Sequence, residues 1–221
     1  GDVAGLLKLA DVPLQRAEGR IDGTIAVEGT ADNPKASVAG KLTQASLADL
    51  PIEPADIDIN YENNTVFVNQ LALKSGDSLL AAKGSYALHG PVRMEVAAKN
   101  FPAHVLMEAA GQSQVQLQAP LDFMAELGGQ GDALEAYISA QLQNGTINGV
   151  DFSNAFAMLN VRDGNIHIQQ AYAARDPYKI MASGDIPVNA LCGSRSGESM
   201  DVTLKLDHAD LNALTFLLPG V

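Results

Sequence analysis

The chain contains one unit twice. Sliding the sequence by 100 positions lays Ile21–Gly90 over Leu121–Ala190 without a gap. Asp22 then meets Asp122, Gly29 meets Gly129, Leu42 meets Leu142, Asn60 meets Asn160, Gln70 meets Gln170, and Gly84 meets Gly184. Identities are sparse, but apolar class is kept: Val38 over Ile138, Ile59 over Leu159, Val66 over Ile166, Val68 over Ile168, Leu88 over Val188. A fixed offset of this kind marks a repeat architecture, in which one supersecondary unit recurs. After Gly90 the match breaks at a Gly- and Ser-rich insertion, Leu191–Glu198. It resumes with Met94, Val96 and Ala98 over Val202, Leu204 and Leu206. Residues 1–20 read as the tail of a preceding repeat, 21–112 as repeat unit 1 and 113–221 as repeat unit 2. Together they are expected to form one continuous, elongated β domain within a longer array.

Within a unit the pattern has period two, the signature of a half-buried strand. Ile57, Ile59 and Tyr61 alternate with Asp56, Asp58 and Asn60. Turn residues punctuate the alternation at Glu62-Asn63-Asn64, Ser75-Gly76-Asp77 and His89-Gly90-Pro91, and Asp163-Gly164 carries the stronger hairpin signal. Pro102–Ala110 departs from this, because Val105, Leu106 and Ala109 recur at helical spacing behind a proline suited to a first turn. Asp210–Leu218 is its counterpart, with Asp210 placed as an N-cap. Each unit therefore reads as about six antiparallel strands and one short helix. Strands of about 5–7 residues would be roughly 17–23 Å long.

A sheet with one apolar and one polar face must cover the apolar face or curl around it. Two short helices cannot cover some dozen strands. The expected fold is mainly β: a repetitive antiparallel sheet curled lengthwise into an elongated, β-taco-like trough with an apolar interior and one short helix per repeat. Its lining is expected from Leu42, Ile57, Ile59, Val66, Val68, Leu80, Tyr86, Leu88, Met94 and Val96 in the first unit. Leu142, Leu159, Ile166, Ile168, Ile180, Ile186, Val188, Val202 and Leu204 take their place in the second. Small inner residues, Ala82, Gly84, Ala182 and Gly184, would keep such a channel open.

With a net charge of −12 and no run of Lys or Arg to neutralise a phosphate backbone, no nucleic-acid partner is expected. It also disfavours binding to anionic headgroups while leaving acyl chains possible ligands. Cys192 is the single cysteine, which rules out an intrachain disulfide. His89, His104, His167 and His208 are scattered, and none stands at metal-ligand spacing from another His or Cys. Asp56 and Asp58 fall on the polar side of a strand, and Phe156 and Met158 replace them in the second unit. The Gly128-Gly129-Gln130-Gly131 cluster lacks phosphate-loop spacing. No catalytic residue, metal site or cofactor is expected. Phe156 and Met158, on the outer side, call for cover by a neighbouring segment or a partner.

The segment Asn60–Leu88 (NYENNTVFVNQLALKSGDSLLAAKGSYAL) and its echo Asn160–Val188 (NVRDGNIHIQQAYAARDPYKIMASGDIPV) resemble the recurring unit of the TamB and AsmA-like envelope proteins of diderm bacteria. Gly29–Pro34 resembles the family's entry to a unit, while Gly129–Leu134 keeps only its Gly and Asp. The resemblance implies a periplasmic bridge whose parent protein is anchored in the inner membrane. It also implies phospholipid transfer between the membranes and, for TamB, assembly of outer-membrane proteins such as autotransporters. The implied partners are phospholipid acyl chains, adjoining repeats of the same parent chain, and an outer-membrane barrel protein met through a C-terminal region outside this sequence.

Three functions follow. The first is a lipid conduit, motivated by alternation without helical cover. The second is a chaperone-like scaffold whose sheet edge captures outer-membrane strands by β-augmentation. The third is a structural, adhesin-type β-solenoid with a filled core. An enzyme would need clustered carboxylates, and neither unit supplies them at matching positions.

Overall fold

The alternation carries the chain through long strands. The computed structural model describes residues 17–30, 33–109, 116–188 and 199–207. In the first unit the strands are β1 Ala17–Thr30, β2 Asn33–Leu47, β3 Leu50–Ile52, β4 Ala55–Glu62, β5 Thr65–Ser75, β6 Ser78–Ala87 and β7 Val92–Pro102. In the second they are β8 Leu117–Gln118, β9 Pro120–Gly129, β10 Glu135–Ile147, β11 Val150–Arg162, β12 Asn165–Arg175, β13 Tyr178–Pro187 and β14 Asp201–Asp207. Among the described residues an α-helix, α1, spans Ala103–Ala109, and a 3-10 turn covers Gly131–Ala133. The strands form a single antiparallel sheet in chain order, β1-β2-β4-β5-β6-β7-β9-β10-β11-β12-β13-β14, with β3 beside β2 and β8 beside β10.

Strand length corrects the expectation of 5–7 residues: β1 has 14 residues, β2 has 15, and β10 and β11 have 13 each. Strands of that length come from ladders that run through irregularities. At Val68/Leu71 the pairing of β5 with β6 slips and then resumes, so Asn69 does not end the strand.

The repeat recurs in the pairing register. Val66 opposes Tyr86 and Val68 opposes Gly84 in the first unit; Ile166 opposes Ile186 and Ile168 opposes Gly184 in the second. The slips recur as well, at Asp58/Ile59 and Met158/Leu159, and again at Val68/Leu71 and Ile168/Ala171. Beyond the insertion, Gly84 faces Met94 as Gly184 faces Val202, and Ala82 faces Val96 as Ala182 faces Leu204. Turn chemistry supports this register. Asn63-Asn64 (φ 51° and 56°) and Asp163-Gly164 (φ 53° and 71°) both adopt the left-handed conformation that two-residue hairpins require.

The units differ after the β2–β3 hairpin. In the first, the returning strand breaks between Ile52 and Ala55, where Pro54 cannot donate to a ladder. The second unit has Asn154 at this place, and β11 runs unbroken from Val150 to Arg162. One packed cluster lies here. Leu42, Ala45, Leu47, Ile52, Ile57, Ala98, Phe101 and Val105 are buried together, with Leu106 of α1 and Phe123 of β9 against them. Phe101 and Val105 are the largest fully buried side chains. The expected helix of the first unit is thus present at 103–109. Its counterpart at 210–218, the insertion 191–198 and the tail at 1–16 lie outside the described residues.

Candidate functional site

Residues opposite each other in an antiparallel ladder share a face, so the registers sort every strand into two sides. One row runs Ile25–Val38–Ile59–Val68–Gly84–Met94–Leu127–Ala136–Val161–Ile166–Ile186 across eleven strands. The next runs Gly23–Gly40–Ile57–Leu71–Ala82–Val96–Ala125–Ile138–Leu159–Ile168–Gly184–Val202 and reaches β14. Both are wholly apolar. Polar residues enter this side at the strand tips, for example at Ser75, Ser78 and Arg175. The opposite side carries Asp56, Asp58, Lys83, Glu95, Glu126 and Lys205, with exposed ion pairs from Lys35 to Glu62 and from Lys83 to Glu95, the latter at 2.8 Å.

The apolar side changes character along each strand. Near the β2–β3 hairpin and α1 it is a packed core. Toward the turns at 63–64, 89–90 and 163–164 Ile59, Val66, Val68, Met94, Leu159, Ile166 and Ile168 are half-buried, while Tyr86 is exposed and the small Ala136 is covered. Neighbours within one sheet shield each other to about that degree, while a second packed layer would bury them. At the two edges exposure rises, to 71 % at Val27 on β1 and 52 % at Leu204 on β14.

Of the residues expected to line a trough, all that lie in strands fall on this apolar side. Leu42 (8 % exposed) and Ile57 (6 %) belong to the packed cluster, and Leu80 packs against it. Leu42 and Ile57 are thus core, covered in the packed cluster, whereas Leu80 beside them is only partly buried. Leu88 and Val188 lie just past the ends of β6 and β13, where their N–H groups donate to the carbonyls of Asn64 and Gly164. Gly84 and Gly184 meet a constraint beyond small size. At φ 139° and 134°, a Cβ would lie 2.1 Å from the Arg93 carbonyl oxygen in one unit and 2.0 Å from that of Asp201 in the other.

The chemistry-bearing residues are dispersed. His167 pairs through Nδ1 with Asp185 on the polar side. Asp58 accepts a hydrogen bond from Asn69 at 3.0 Å. Among the described residues no group of three His, Cys, Asp or Glu is placed to hold a metal ion, and no helix is long and apolar enough to cross a membrane. Cys192 and His208 lie outside the described residues. A cleft of about 550 Å³ opens beside α1, lined by Asn100, His104, Met107, Glu108, Gln118 and Asn144, away from the two apolar rows. Phe156 and Met158 face the polar side, and the neighbour found for Phe156 lies in the sheet: the Tyr172 ring, 5.8 Å away.

Sequence reasoning missed the division of the apolar side into packed and open halves. Pro54 and the helical spacing at 103–109 were its signals. Compared with family models, with curated proteins and with solved structures, the chain matches none.

Proposed function

We propose that this chain is a segment of an envelope-spanning, lipid-shielding trough, in which the sheet curls lengthwise about its apolar side and acyl chains lie along the open half. The observation that carries this reading is the apolar face that continues from β1 to β14, packed near α1, half-buried across the inner strands and exposed at both edges. Such a face needs cover, and an acyl chain supplies apolar contact without requiring any polar group from the wall. The path follows Ile59, Val66, Val68, Tyr86 and Met94, then Leu159, Ile166, Ile168, Ile186 and Val202, with Ile180 and Leu204 beside it. One short helix per repeat would close the packed half. With the TamB and AsmA-like resemblance, the reading places the parent protein in the periplasm of a diderm bacterium, anchored in the inner membrane and moving phospholipid between the membranes.

The purified chain should carry co-purifying phospholipid detectable by mass spectrometry. Val68→Glu with Ile168→Glu should remove most of it, because a carboxylate in an apolar channel is costly to desolvate. A folded chain with no bound lipid, or equal lipid on the double variant, would sink the proposal.

A second reading, β-augmentation of outer-membrane strands, is favoured by one observation: β1 and β14 are the two ends of the strand order, and their side chains are largely exposed. Adjoining repeats of the parent chain would compete for the same edges. Cross-linking from β1 or β14 to a barrel substrate separates the readings; capture only by neighbouring repeats removes the second.

A further inference from the structure

At six matched positions on the polar side, the second unit has a large apolar or aromatic residue where the first has a small or polar one. Thr24 becomes Met124, Ser37 becomes Tyr137, Asp56 becomes Phe156, Asp58 becomes Met158, Ala72 becomes Tyr172 and Ala81 becomes Met181. The registers bring the six large side chains together. Phe156 opposes Tyr172, and Tyr172 opposes Met181, along one rung. Met124 and Met158 both oppose Ser139, two residues from Tyr137 on β10, so Tyr137 is the diagonal neighbour of each. The first unit does carry Phe67 and Leu79 on this side. They stand apart, Phe67 between Asn60 and Ser85, and Leu79 between Lys74 and Lys99.

Exposure sets the patch apart from the sheet's own packing. Met124 is 58 % exposed, Tyr137 56 % and Met158 41 %. Charge indicates what would cover it. Glu126 opposes Tyr137, Glu135 lies two residues along the same strand, and Asp122 lies two residues from Met124. Two lysines border the β12–β14 end of the patch, Lys179 at 4.5 Å over the Tyr172 ring and Lys205 opposite Met181, while the carboxylates of β9 and β10 border the other end.

We infer that this patch docks a basic amphipathic segment of another protein, its apolar side on the Met and aromatic residues and its Lys or Arg residues over the acidic rim. A second copy of this chain fits poorly, because both copies carry −12. The patch also offers only on the order of a few hundred Å², against ~800 Å² per partner in a stable interface. An anionic bilayer surface is repelled by the same rim. A single helix fits in length: β9 to β13 spans four strand spacings, roughly 19 Å, which about 13 helical residues cover. Methionine lends such a surface an adaptable fit.

The test titrates the full chain with a synthetic Leu/Lys amphipathic peptide of about 14 residues, against a Leu/Glu peptide of the same pattern, following fluorescence anisotropy. The Leu/Lys peptide should bind in a salt-sensitive manner and the Leu/Glu peptide should not. Phe156→Ser with Met158→Ser should weaken binding at least about tenfold, and Glu126→Gln with Glu135→Gln should weaken it less and flatten the salt dependence. The first unit's Asp56 and Asp58 show that polar residues suit these places in the sheet. A benzophenone-bearing Leu/Lys peptide, cross-linked to the unaltered chain, should map to β10–β12 near Tyr137 and Met158. Cross-links on the apolar side, unchanged affinity in the folded Ser variant, equal binding of the Leu/Glu peptide, or a concentration-dependent dimer abolished by the Ser variant would each overturn the inference.

Discussion

The two units have the same pairing and different interiors. Leu42 opposes Ile21 and Ala55; Leu142 opposes Leu121 and Ala155. Leu47 and Ile147 stand at the same place in their hairpins, opposite Leu50 and Val150. Yet Leu42 and Leu47 are 8 % and 6 % exposed, while Leu142 is half-buried and Ile147 is 43 % exposed. Register is thus a property of the strand and its turns, repeated wherever alternation and turn residues repeat. Burial depends on what lies over the face, and in the first unit α1 and the broken strand at Pro54 lie there. Among the described residues, the same ladder thus carries a packed core in the first unit and a half-buried face in the second.

The largest test of this contrast uses one residue type in one register. Leu42→Ala should cost about 2–5 kcal/mol, the range for a leucine removed from a packed core. Leu142→Ala should cost roughly 1 kcal/mol, because its methyl groups are only partly withdrawn from solvent. Urea unfolding of both variants reads the difference directly. Equal losses would mean that the second unit is as closed as the first.

A smaller contrast concerns the two glycines. Gly84→Val and Gly184→Val meet nearly the same backbone clash, at 2.1 Å and 2.0 Å from a carbonyl oxygen. Gly84 faces β7, which is held on its other side by β9, so the strain has no outlet and should cost roughly 1–3 kcal/mol. Gly184 faces β14, the last strand in the order. There the strand can part from its neighbour, and the change should appear as lost amide protection across Asp201–Asp207 with a smaller shift in the global midpoint. Equal midpoint shifts, with β14 still protected, would contradict the edge role of β14.

Period-two runs such as Ile57–Tyr61, and turn pairs such as Asp163-Gly164, made the antiparallel sheet and the sidedness of its strands legible from sequence, whereas the register slips at Val68/Leu71 and Ile168/Ala171 were not. Both signals are local, and both occur twice. The hairpin turn at Ala48-Asp49 was not legible. Its residues adopt φ 44° and 69° without glycine or asparagine, and its counterpart Asn148-Gly149 carries the signal instead. Alternation also could not distinguish Leu42 and Ile57 from Val68 and Met94. All four fall on the apolar side, and only the placement of α1 decides which are covered. Phe156 and Met158 stood out singly by their polar-side position. Joining them to Met124, Tyr137, Tyr172 and Met181 needs the register, because the six lie on five strands.

The smallest contrast is electrostatic. Lys83 opposes Glu95 in the first unit, and Ser183 opposes Thr203 at the matched place in the second. The Glu95 side chain holds the Lys83 pKa above its usual 10.5, first by hydrogen bonding and then by its charge. A pKa raised on folding gives a contribution that is fully present below the unfolded value and lost as pH rises through the folded one. Both side chains are largely exposed, so the contribution is small and weakens with salt. Lys83→Ser with Glu95→Thr, which writes the second unit's pair into the first, should lower the urea midpoint slightly at neutral pH and low salt. The gap from the parent chain should close as pH climbs past the lysine range. A gap that persists above that range would assign the effect to strand propensity or packing of Ser and Thr, and would leave the Lys–Glu pair no part in distinguishing the two units.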